Sequence, residues 1–257
     1  MISMKALLKS HVVFLASLLF FFANHSAPAA QQKSPKAAPS EPPGLSVRAT
    51  ASSVPAEALL DPMSPEWSKL PTQRVALNRT PRLYDTEAPS EPELSFVDIR
   101  LARTGAKLLV LMTWHDPTQD VAQIAKLPSA PTEGRPHKEL TEATDRFFDS
   151  AAVMHPARLP ENQVWPSLQM GDAGGPVTIY YWSSVRGAAL MQAEGRGTTK
   201  RTGEAFPAQA VYRDNAWHLS MVLGDLPEGM PLAFAIWNGS QQDRDGRKYF
   251  TTWLKLE

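Results

Sequence analysis

Cysteine is absent from the 257-residue chain. That absence removes disulfides, zinc–thiolate sites, cysteine-held iron–sulfur clusters, a thiol nucleophile, and haem attached through C-x-x-C-H. A surplus of either charge is also missing: Lys+Arg and Asp+Glu stand at 26 each. Nucleic-acid binders and polybasic membrane-surface proteins need excess positive charge, so neither class fits. Histidine is scarce, at 6 residues. His115, His137, His155 and His218 show no i, i+2 or i+4 spacing, so a histidine metal site would need wholly long-range assembly. There is no G-x-S-x-G, H-E-x-x-H or Walker A motif. Gly195-Arg196-Gly197 opens like a dinucleotide loop, but Lys200 stands where the third glycine belongs.

Proline, by contrast, is abundant at 23 residues. The first stretch of chain reads as targeting sequence. Lys5 and Lys9 precede an apolar run, Val12 to Ala23, too short for the ~20 residues of a membrane span. Ala27-Pro28-Ala29 then offers the small residues of a signal-peptidase site, so residues 1–30 are expected to be a cleaved signal peptide. No cysteine follows for lipidation and no twin arginine precedes. Export to the periplasm, with no membrane span after cleavage, is the expectation. Residues 31–56, rich in Pro, Ala and Ser, read as an extended linker. Residues 57–257 make one domain.

Within that domain the recurring signal is short β-prone runs bounded by Pro, Gly, Asp and Asn. The runs are Arg74–Asn78, Leu94–Ala102, Lys107–His115, Phe147–Met154, Val177–Trp182, Ala208–Arg213, Trp217–Leu223, Leu232–Trp237 and Tyr249–Leu256. Trp217, Leu219, Met221 and Leu223 alternate onto one face, and Asp214-Asn215 suits a hairpin turn. Helical periodicity is confined to Val121–Leu127 and His137–Arg146. The expected fold is all-β: an antiparallel β-sandwich with long loops, at Leu127–Pro136 and Pro156–Gly175, and a few short helices. His115-Asp116 could form a dyad, although Asp116-Pro117-Thr118 is more simply a turn cap. No paired carboxylates stand out for acid–base work.

The informative stretches are 148–154 (FDSAAVM), 165–172 (WPSLQMGD), 176–182 (PVTIYYW), 195–198 (GRGT), 231–237 (PLAFAIW) and Gly246-Arg247-Lys248 with Trp253. In order and spacing they resemble the haem-b-binding γ subunits of periplasmic molybdenum enzymes. That group includes ethylbenzene dehydrogenase, dimethylsulfide dehydrogenase, selenate reductase and chlorate reductase. The resemblance spans Trp67 to the C-terminus. It implies one non-covalent haem b with Met and Lys as axial iron ligands: Met170 of the M-G-D stretch and Lys248 after Gly-Arg. It also implies a non-catalytic electron-transfer subunit, working with a molybdopterin catalytic subunit, an Fe–S subunit, and a soluble cytochrome or other carrier.

The chemistry of that pair is coherent. A thioether is a soft neutral ligand that favours ferrous iron. A lysine amine binds metal only when deprotonated, which burial promotes. Taken alone, Met170 reads as a packing residue and Lys248 as a solvated strand end. Met154 is a second candidate thioether, and His155 an outside candidate ligand. Trp165, Tyr180, Tyr181, Trp182 and Trp237 could line a haem pocket, with Arg196, Lys200 and Arg201 pairing to its propionates. The same aromatics could instead form a sugar-stacking platform, making the chain an exported carbohydrate-binding-module-like sandwich without cofactor.

Overall fold

The computed structural model describes residues 46–80, 94–121, 148–160, 164–203, 205–241, 243 and 245–257. The chain divides into Met1–Ala38 and Pro39–Glu257, and every described residue lies in the second unit. The expected signal peptide, the linker up to residue 45, the loop Leu127–Pro136 and the helix His137–Arg146 fall outside the described residues. So does the helix Val121–Leu127 beyond its first residue.

The architecture is an all-β sandwich. Its strands are β1 (Ser46–Val47), β2 (Ala49–Ala51), β3 (Gln73–Ala76), β4 (Asn78–Arg79), β5 (Phe96–Thr104), β6 (Lys107–His115), β7 (Ser150–Pro156) and β8 (Val177–Ser183). They continue as β9 (Gly187–Ala193), β10 (Lys200–Arg201), β11 (Ala208–Arg213), β12 (Ala216–Val222), β13 (Pro231–Trp237), β14 (Tyr249–Phe250) and β15 (Leu254–Leu256). One sheet runs β1-β15-β13-β7-β8-β9-β10, with β14 and β4 attached beside β13; the other runs β11-β12-β6-β5-β2, with β3 beside β5. Pairing is antiparallel in the body of both sheets. At their edges it turns parallel, β1 on β15 and β2 on β5, so both sheets are mixed. Ser46–Val47 and Ala49–Ala51, inside the stretch expected to be a linker, are therefore strands of the sandwich.

Side-chain alternation builds the core. Val97, Ile99 and Leu101 of β5, Val110 and Met112 of β6 and Trp217, Leu219 and Met221 of β12 meet Ala151 and Val153 of β7, Trp182 of β8 and Phe234 of β13. Leu223 joins them, completing the face anticipated for this run. Asp214 (φ 53°) and Asn215 (φ 57°) both take left-handed conformations at the β11–β12 turn, as a tight hairpin of this kind requires.

Both sheets are apolar on their outer faces as well. Ala102, Leu109 and Leu111 are covered by helix α1 (Ala56–Leu60) and by Trp67 of a short 3-10 turn at Pro65–Lys69. Burial on both faces explains why β6 reads as a continuous run, Leu108 to Met112, rather than an alternating one. The outer face of the larger sheet carries the residues singled out by the sequence.

Candidate functional site

On that outer face the register places Ala152 of β7 between Ala235 of β13 and Tyr181 of β8, with Met154 between Ala233 and Ile179. Ile179 lies opposite Met191 of β9, and Tyr181 opposite Ala189. Ala152, Met154, Trp165, Val177, Ile179, Ala193, Ala233 and Trp253 form one buried apolar cluster, with Leu168, Met170, Tyr181, Met191, Ala235 and Trp237 half-buried around it. Ala152, Ala193, Ala233 and Ala235 add little side-chain bulk to this face. The rim is aromatic: Trp165 meets Trp253 edge-on at 6.4 Å, and Tyr181 meets Trp237 edge-on at 5.7 Å. Trp253 Nε1 donates to Pro166 O and Trp237 Nε1 to Asp245 O, fixing both rings.

Met170 reaches this cluster from a loop that local bonding holds in an uncommon shape. Its φ is 72°, a left-handed conformation that a non-glycine residue adopts only under constraint. The constraints are visible. Gly171 N donates to Ser167 O (2.9 Å), Asp172 Oδ2 accepts from Ser167 N (3.0 Å), and Gly195 N donates to Met170 O (2.8 Å). Gly171 itself has φ +78°, and a Cβ there would stand 2.6 Å from Gly175 O. The M-G-D loop is thereby tied to the Gly195-Arg196-Gly197 loop.

Lys248 approaches from the other strand end. Its carbonyl accepts from Thr80 N and Thr80 Oγ1, and its Nζ lies 5.2 Å from the centroid of Trp237. Burial pushes the Lys248 ammonium below its ordinary pKa, and the nearby Arg196 charge adds to this, while Asp245 opposes it. Met170 and Lys248 thus border one apolar surface, Met170 directly and Lys248 through Trp237.

The other candidates divide by face. Met154 belongs to the outer cluster. His155 points inward, packed near Tyr180 (5.8 Å between rings), with Nδ1 against Pro156 O and its pKa lowered by burial. Tyr180 and Trp182 also face the interior, where Trp182 packs on Trp114 and Trp217. They line neither a haem pocket on the outer face nor a sugar platform; Trp165, Tyr181 and Trp237 remain. Arg196, Lys200 and Arg201 are exposed, and Arg201 is close enough to Tyr181 to influence its hydroxyl. His115 is exposed, whereas Asp116 is buried and caps its turn by accepting from Thr118 N at 3.2 Å.

The sequence showed no carboxylate pairing, and here the structure departs from it. Asp116, Asp120 and Asp149 offer carboxylate oxygens all within 4.8 Å of one another. Asp116 and Asp120 follow β6 and Asp149 precedes β7, so only the folded topology joins them.

Comparison with known proteins places this geometry in context. A protein of Haloferax mediterranei assigned as a respiratory nitrate reductase heme subunit (ORF7) is 27% identical over 231 residues, covering 82% of this chain and 75% of that one. The γ subunit of dimethylsulfide dehydrogenase from Rhodovulum sulfidophilum is 27% identical over 211 residues, covering 73% of this chain and 71% of its own. Among solved structures, a family 9 carbohydrate-binding module from Caldicellulosiruptor kristjanssonii in complex with glucose overlaps 82% of this chain and 95% of its own, at 11% identity and a TM-score of 0.41. The ethylbenzene dehydrogenase family profile matches residues 64–222, more than half of the sequence. The chain belongs to the ethylbenzene dehydrogenase family.

Proposed function

We propose that this chain is the exported haem-b electron-transfer subunit of a molybdenum/Fe–S oxidoreductase complex, itself non-catalytic. The observation that carries the reading is the outer apolar face, bordered by a thioether in a constrained loop and by a lysine drawn out of water. Related chains named as a heme subunit and as a dehydrogenase γ subunit support it.

Met170 and Lys248 would hold the iron, and the bound haem would supply a one-electron carrier. The residues do the rest. Trp237 and the surrounding burial keep Lys248 short of water, so its amine gives up a proton at lower pH than a free lysine. The Gly171 turn and the Gly195 hydrogen bond fix where the Met170 side chain starts, which limits the entropy lost on ligation. The alanine positions would leave room for a flat macrocycle, and Trp165, Tyr181, Trp237 and Trp253 would keep solvent from it. Arg196 and Arg201 supply positive charge for propionates. Electron partners would be the molybdopterin and Fe–S subunits on one side and a soluble cytochrome or other carrier on the other.

Export rests on Lys5, Lys9, the Val12–Ala23 run and Ala27-Pro28-Ala29. No helix among the described residues is long and apolar enough to cross a membrane. N-terminal sequencing of the secreted chain should find its first residue near Ala30, and an unprocessed Met1 would refute cleavage. For the cofactor, the chain produced with haem available should show a low-spin absorption spectrum that Met170→Ala and Lys248→Ala each alter. A colourless chain, or spectra unmoved by both substitutions, would overturn the assignment; saccharide binding lost on replacing Trp165 would then favour a sugar-binding sandwich.

A further inference from the structure

Asp116, Asp120 and Asp149 lie at the end of the sandwich where β6 stops and β7 starts. Asp149 is fully buried and accepts three hydrogen bonds, which leaves one carboxylate lone pair open: Gly239 N reaches Oδ1 at 3.0 Å, while Asp120 N (2.7 Å) and Trp217 Nε1 (2.9 Å) reach Oδ2. Trp217 belongs to one sheet, and Gly239 follows β13 of the other, so this carboxylate bridges the layers. Asp116 is also fully buried. Its Oδ1 accepts from Thr118 N, but its Oδ2 is sealed from solvent and meets no donor. Asp120 is half-buried, and its Oδ2 accepts from Thr118 Oγ1 at 2.8 Å. The backbone around them is occupied elsewhere, since Tyr212 Oη donates to Asp116 O and Ser184 Oγ to Asp120 O.

Three carboxylates converge, and among the described residues no lysine or arginine forms an ion pair with any of them. A buried charge without a partner is costly. One shared proton between Asp116 and Asp149 would neutralise a single charge and leave two. A divalent cation answers the whole set. The donors are all oxygen, which suits a hard ion, and separations all within 4.8 Å let the three oxygens reach one ion at about 2.4 Å each.

We propose that Asp116, Asp120 and Asp149 form a calcium-class divalent cation site that joins the two sheets where β6 ends and β7 begins. Asp116 Oδ2 and Asp149 are its buried ligands. Asp120 is the solvent-side ligand and marks the entry path, with water completing the coordination. The site is remote in function from the haem reading and needs no cofactor to be tested.

The test uses the full chain stripped with EGTA. Terbium should bind in place of calcium and emit on indole excitation, because Trp217 bonds directly to the ligand Asp149. Calcium should quench that emission by displacement and, at about a hundredfold over Kd, raise Tm by roughly 5–10 °C. Asp120→Asn, at the half-exposed position, should keep the native circular dichroism but weaken terbium and calcium binding at least tenfold. Asp116→Asn should abolish both. Absence of sensitised emission, together with equal Tm in EGTA and calcium, would replace the cation by a shared proton. Emission undiminished in Asp120→Asn would equally overturn the ligand set.

Discussion

Replacing Gly171 by alanine tests whether the loop that carries Met170 is held by shape rather than by chance. Two costs can be worked out. The backbone sits at φ +78°, where a Cβ costs about 1–2 kcal/mol. That Cβ would also stand 2.6 Å from Gly175 O and 3.2 Å from Ala193 O, both backbone atoms. Gly175 O accepts the Asp172 amide, so it cannot retreat without opening that turn. Losing one or two such hydrogen bonds adds about 1 kcal/mol each. The total is about 2–4 kcal/mol, or roughly 4–16 °C in Tm for a domain of this size. Gly105→Ala is the control, because φ is +57° there but nothing lies within 4 Å. It should show the conformational cost alone. Thermal unfolding by circular dichroism measures both variants, and the haem spectrum of Gly171→Ala should change while that of Gly105→Ala should not. Equal Tm losses in the two variants would refute the steric argument.

Ala235→Leu should block haem loading while leaving Met170 and Lys248 intact, because it raises the floor beside Ala152; the overpacking should cost about 1–3 kcal/mol, read by Tm and by loss of colour. Arg79→Met should destabilise the chain by about 3 kcal/mol, since it strips a bidentate partner at 2.6 Å from the fully enclosed Asp243 carboxylate; denaturant unfolding measures it. His155 should resist protonation. Burial lowers its pKa, so the unfolded chain binds the proton more readily and stability falls as pH drops below about 6.5. His155→Leu should flatten that acid limb in pH-dependent melts, and an unchanged slope would refute the assignment.

Strand positions were legible where β-branched, aromatic or leucine-rich runs met clear turns. Lys107–His115 and Ala208–Arg213 match β6 and β11 end to end. β9, with the sequence GAALMQA, carries too few β-formers to stand out, although it supplies Met191 and Ala193 to the site. β1 and β2 hide in a Pro- and Ala-rich context because they are only two and three residues long and give the core a single large apolar side chain, Val47. Alternation in Ile179-Tyr180-Tyr181-Trp182 told which residues share a face but not which face looks inward, and that is why Tyr180 and Trp182 were grouped with the pocket. Met170 and Lys248 were visible only through family likeness, since neither differs in residue type from a packing methionine or a surface lysine. The aspartate trio lay beyond local reading because its members meet only after β6 and β7 fold into opposite sheets.

The parallel pairing of β1 with β15 also sets an order of events. Val47 O accepts from Glu257 N, and Glu257 O accepts from Ala49 N, so the first and last strands of the sandwich complete each other. A chain that emerges vectorially cannot close this sheet until residues 254–257 have appeared. Long-range closure of that kind is slow. Until then β1 lacks its parallel partner, and this edge of the sheet stays incomplete.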